Sequence, residues 1–102
     1  MWKEDYFHSM LDFVCRSSGL SSEEVLHSRR EECVDARSVL VSVLCERLTD
    51  SQVAELIGLK RRGVNGLRNG FAERARRWGV RMLHEDVKRL SCGRRELGTE
   101  LA

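Results

Sequence analysis

The chain has 102 residues, 41% apolar and 33% charged, with a net charge of +2, which suits one small domain and leaves no room for a nucleotide-driven motor joined to a binding module. It contains no proline, where average usage would give about five per hundred residues, so unbroken helices are favoured over a turn-rich β-fold. Four cysteines without a Cys-x-x-Cys pair and three scattered histidines fit neither zinc spacing nor a redox motif. No apolar run approaches the length of roughly 18 residues that a membrane span requires.

The N-terminal segment MWKEDYFHSMLDF is interrupted by acids, unlike a signal peptide. A soluble cytoplasmic protein is therefore expected. Trp2, Tyr6, Met10, Phe13 and Val14 lie three or four apart, which predicts a first amphipathic helix ending between Ser17 and Gly19, with its aromatics in the core. Ser21 followed by Glu24 is a capping-box pattern and starts a short helix through Val25 and Leu26 to His27. The loop SRREE follows. From Cys33 to Leu48 the chain is apolar on most faces, and its β-branched content would allow a strand. Its length and the spacing Cys33, Ala36, Leu40, Leu44 favour a buried central helix.

Thr49 with Gln52 forms a second capping pattern and opens the stretch DSQVAELIGLKRRGVNGLRN, which reads as a helix-turn-helix. A small residue at Ala54 lets the two helices cross closely, Gly58 can take the left-handed conformation that ends the first, and Val64 anchors the second. At 100° per residue, Val64, Leu67, Phe71, Ala75 and Trp78 share one stripe, expected to be buried. Arg62, Asn65, Asn69 and Arg76 lie opposite, with Arg61 and Arg68 at a flank and Lys60 at the start. Arginine pairs with guanine edges and asparagine with adenine edges, and both hold phosphate. Gly63, Gly66 and Gly70 share a narrow stripe beside the core, where each weakens a helix by up to about 1 kcal/mol relative to alanine. They suit close approach to DNA or to a neighbouring helix, or else mark a helix that orders only on binding.

Charge is unevenly divided. Residues 1–50 carry 6 Lys/Arg against 10 Asp/Glu, and residues 51–102 carry 12 against 6. Between Lys60 and Arg81, 8 basic residues meet one acid, Glu73, which suggests a face for a polyanion.

From about Met10 to Ser91 the sequence resembles the C-terminal DNA-binding domain of the bacterial chromosomal replication initiator DnaA, of the Trp-repressor-like helix-turn-helix class. The segments LSSEEVL (20–26), SRREECVDAR (28–37) and 48–69 carry the resemblance. It implies a basic loop entering the minor groove and a second helix in the major groove. Arg29 and Arg30 match that loop, and Arg37 matches the arginine that opens the long helix. The chain departs from the family at the turn, where the G-G-R-D-H-[ST]-T-V signature is replaced by Gly58, Leu59, Lys60, Arg61, Arg62, Gly63, Val64, without the Asp-His pair that takes part in base recognition. Glu31 stands where the family often has another basic residue.

The expectation is thus an all-α protein of five or six helices containing a helix-turn-helix, with residues 1–91 as one domain and 92–102 as a flexible tail. Its expected role is sequence-selective binding of double-stranded DNA, as a regulator or as the DNA-binding part of a replication or mobile-element protein. The expected DNA-contacting set is Arg29, Arg30, Arg37, Lys60, Arg61, Arg62, Asn65, Arg68 and Asn69. No catalytic residue, metal, cofactor, membrane or small-molecule substrate is implied, and a larger parent protein or a homodimer is compatible with the sequence. The alternative is a protein-interaction module on the same fold. It would expose Trp78, Met82 and Leu83 as an apolar anchor, whereas DNA binding as drawn needs them in the core.

Overall fold

The computed structural model describes the backbone of residues 2–101 and the side chains of residues 2–92. The tail expected over 92–102 lies, past Cys92, outside the described side chains. Six helices follow one another: α1 (Trp2–Ser18), α2 (Ser22–His27), α3 (Glu31–Leu44), α4 (Asp50–Ile57), α5 (Arg61–Arg74) and α6 (Trp78–Leu101). No strand occurs among the described residues.

Local chemistry sets most of the helix ends. Both expected capping boxes form. The Glu24 amide donates to Ser21 Oγ at 3.1 Å while the Ser21 amide donates to the Glu24 carboxylate at 3.0 Å. Thr49 and Gln52 repeat the arrangement at 3.2 and 3.0 Å. Those bonds hold the Glu24 carboxyl below the usual range, with the Ser21 amide as the main cause. Gly58 closes α4 at φ 84°, and its amide and that of Leu59 both donate to the Ala54 carbonyl.

The central helix is α3, packed by α1, α2, α5 and α6. It begins at Glu31 rather than Cys33 because Glu31 and Glu32 suit the positive end of a helix, which shortens the expected loop to Ser28–Arg30. It ends at Leu44, and Leu48 stays buried beyond a turn. Val39, Leu40, Val41 and Leu44 are fully buried, so helices on several sides override the strand preference of the β-branched run. The buried Ser38 hydroxyl donates back to the Asp35 carbonyl at 2.7 Å. At the far end of α3, the Tyr6 hydroxyl donates to the Val43 carbonyl at 3.1 Å.

Two expectations about aromatics fail. Trp2 is 56% exposed, because it sits one turn outward of the Tyr6 contact with the end of α3. Trp78 is 69% exposed. The inward stripe runs from the buried Val64 through the half-buried Leu67, Phe71 and Ala75 but stops there, since α5 ends at Arg74 and Trp78 opens a new helix. Asp35 of α3 sits at this break, pairing with Arg74 at 2.8 Å and Arg77 at 2.7 Å.

Candidate functional site

The first turn of α5 has neither a side-chain cap nor an acid; Arg30 likewise leaves α3 without a side-chain cap, but there Glu31 and Glu32 fill the first turn. Lys60 occupies the N-cap position in an extended conformation with no side-chain cap, and no acidic residue lies in the first turn. The first amide groups therefore lack the side-chain acceptor that Ser21 and Thr49 give α2 and α4. Around this positive end stand Lys60, Arg61 and Arg62, all exposed and without an ion pair among the described residues. Cations here oppose the helix dipole, each by about 0.3–1 kcal/mol. An anion placed at the same point would be favoured by amides, dipole and side chains together.

Gly63, Gly66 and Gly70 continue this open surface. An added Cβ at Gly63 would meet only the Leu59 Cβ at 3.8 Å, and at Gly66 or Gly70 nothing within 4 Å. Among the described residues nothing packs closely enough to require glycine at these positions, so close packing there does not account for them.

The second turn is tethered instead. Arg68 pairs with Asp50 Oδ2 at 3.0 Å and donates to Asn65 Oδ1 at 3.1 Å. Asp50, with its side chain 14% exposed, also accepts the Cys45 thiol at 3.6 Å. Burial, aided by Asp50, pushes that thiol up to about 11. This network joins the turn after α3, the start of α4 and the middle of α5, so it fixes the angle between α4 and α5. Asn69 is exposed.

The three arginines expected from the loop and long helix divide. Arg29 is exposed with no ion pair among the described residues. Arg30 is engaged by Glu24 and by Glu32, the latter at 3.3 Å. Arg37 faces inward from the middle of α3, not from its opening turn, donating to the Val25 carbonyl at 2.7 Å and the Ser28 carbonyl at 2.5 Å. Its partial burial lowers the guanidinium pKa. Its observed role is to tie the end of α2 to α3, through its Nε and one Nη2 donor.

Ion pairing also halves the cationic cluster. Of the 8 basic residues from Lys60 to Arg81, Arg68, Arg74, Arg76 and Arg77 hold acids. Lys60, Arg61, Arg62 and Arg81 do not, among the described residues. Three of the four paired arginines reach acids of the first half of the chain, Asp50, Asp35 and Glu31, so the uneven charge distribution partly serves internal pairing. No local pattern in the sequence marks Asp35 and Asp50 as partners of these arginines, or Arg81 as a free cation.

No three His, Cys, Asp or Glu side chains come together to hold a metal ion among the described residues. No described helix is long and apolar enough to cross a membrane. Compared with known proteins, the chain matches no family model, no curated protein and no solved structure.

Proposed function

We propose that this chain binds double-stranded DNA, with α4 and α5 acting as a helix-turn-helix and the first turns of α5 entering the major groove. The observation that carries the reading is the start of α5: an uncapped helix N-terminus ringed by Lys60, Arg61 and Arg62 and followed by a glycine-lined open face. The sequence caps α2 and α4 with side chains and opens α3 with two acids, but gives the start of α5 neither, and a phosphate there would satisfy the free amides and the cations at once. The resemblance to the initiator's DNA-binding domain supports the same assignment and a cytoplasmic site of action. Lys60 and Arg61 then hold backbone phosphates, Arg62 and Asn69 face base edges, and Asn65 adds an amide oriented by Arg68. In the loop, Arg29 remains available to the duplex.

Salt titration of binding to duplex DNA tests it. Log affinity should fall linearly with log salt, at about 0.9 per phosphate neutralised. A flat dependence, or no binding to any duplex at low salt, overturns the proposal.

A second reading, a protein-interaction module, is favoured by one observation: Trp78 is exposed on α6, with Met82 and Leu83 half-buried beside it. It concerns a different helix from the α5 surface.

A further inference from the structure

We propose that, with α5 read as a major-groove helix, Asp50 and Arg68 are positioning residues that turn the Asn65 amide into a hydrogen-bond donor for guanine. Asn65 shares a face of α5 with Arg62 and Arg61, three and four residues before it, and with Asn69, four residues after it.

The hold on Asn65 starts at α4. Asp50 is the first residue of that helix, where its charge suits the positive end, and its side chain is nearly buried. One carboxylate oxygen accepts the Cys45 thiol at 3.6 Å, and the other pairs with Arg68 Nη2 at 3.0 Å. Burial keeps that thiol protonated at neutral pH, so it stays a donor to Asp50 and does not compete for the arginine. Arg68 Nη2 carries two N–H bonds, and its second partner is Asn65 Oδ1 at 3.1 Å. A carboxylate held from two sides thus holds a guanidinium, which holds an amide.

An arginine only donates, so the amide atom facing it must be oxygen, and the Asn65 Nδ2 hydrogens lie on the other side of the amide carbon. That nitrogen makes no hydrogen bond among the described residues. A free asparagine suits adenine, giving an N–H to N7 and taking one from the exocyclic amine. Here the second half of that contact would bring the amine against a guanidinium that already occupies the oxygen. Guanine offers N7 and O6, both acceptors, and is the purine edge that a set of donors matches. Asp50 has a second effect, since its charge withholds Arg68 from the phosphate backbone.

A randomised-site selection on the wild-type chain, followed by competition binding with duplexes that differ at one base pair, tests it. The selected site should hold a guanine whose replacement by adenine weakens binding by roughly fivefold or more. Asn65→Asp keeps the bond to Arg68 but presents an acceptor, so the preference at that position should move from guanine to cytosine, whose major-groove edge donates through N4. Asp50→Asn keeps the shape and removes the charge that holds Arg68. The guanine preference should then fall, binding to unrelated duplex should tighten, and the slope of log affinity against log salt should steepen by about 0.9 as Arg68 reaches a phosphate. A merely structural role would instead weaken binding to every duplex. Asn65→Asp leaves Asp50 untouched and reads the same preference should the Asp50 variant fail to fold. A wild-type chain that binds duplex with the expected salt dependence but selects no guanine that Asn65→Asp changes, or a folded Asp50→Asn chain that binds unrelated duplex no more tightly, overturns this inference alone. No binding to any duplex overturns it together with the reading of α5 beneath it.

Discussion

Replacing Lys60, Arg61 and Arg62 together with alanine should weaken DNA binding and raise thermal stability in the same protein. Each of the three cations is free of ion pairs among the described residues and lies at the positive end of α5. If each neutralises one phosphate, the slope of log affinity against log salt falls by about 0.9 per residue, so by about 2.7 for the triple variant. At physiological salt the same counterion release corresponds to a loss of about two orders of magnitude in affinity. Folding responds in the opposite sense, because three charges opposing the helix dipole are removed, and the melting temperature should rise by a few degrees. Arg74→Ala and Arg77→Ala supply the contrast. Their guanidinium groups are held by Asp35, so they should lower stability and leave the salt slope unchanged. Fluorescence anisotropy across a salt series, with thermal melts of the same preparations, reads both effects. An unchanged slope in the triple variant refutes the assignment of these cations to phosphate, and an equal slope loss in the Arg74 and Arg77 variants refutes the division into free and paired arginines.

Asp35→Asn should destabilise the fold by about 1–3 kcal/mol in urea titration, less than for a fully buried pair because Arg74 and Arg77 are partly in solvent. Arg37→Ala should cost about 1–3 kcal/mol by leaving the Val25 and Ser28 carbonyls without their donors, and DNA affinity measured well below the melting point should be unchanged. Burial against Phe71, with ring centroids 4.8 Å apart, lowers the His84 pKa from its ordinary 6.5, and its Nε2 has no hydrogen-bond partner among the described residues. Glu46 and Glu85 oppose that shift, and Lys88 adds to it. The folded state then takes up this proton less readily than the unfolded chain, so stability is full above about 6.5 and declines as pH falls below it. His84→Leu should flatten that part of a stability profile measured by denaturant titration.

Features fixed by neighbours in sequence were legible before the structure. The boxes at Ser21 and Thr49 each need residues three apart, and the end of α4 needs only a glycine that tolerates positive φ. The burial of Val64 followed from helical period alone. Trp78 was misplaced because the same period continues through Ala75 without glycine or proline to mark a stop. The break coincides with pairing to Asp35, 39 and 42 residues away in the chain, a separation at which no local pattern operates. Phe7 and Leu11 were passed over beside more conspicuous aromatics, although α3 packs against α1 and both are buried.

The charge pattern shows how a functional signal and a structural one overlap in a short chain. Eight cations in a row of 22 positions look like one surface, yet the fold spends four of them on acids and leaves the rest at two places. Lys60, Arg61 and Arg62 open α5, and Arg81 lies beside Trp78 on α6. A cation that pairs within the fold loses most of its attraction for an external anion, so the paired arginines contribute little to a binding field. For three of the four, what separates the groups is an acid within reach on another helix, which for Arg74 and Arg77 is supplied by α3, while Arg76 pairs with Glu73 three residues back. The free cations accordingly lie where the local helix rule is broken or where an apolar side chain is left uncovered.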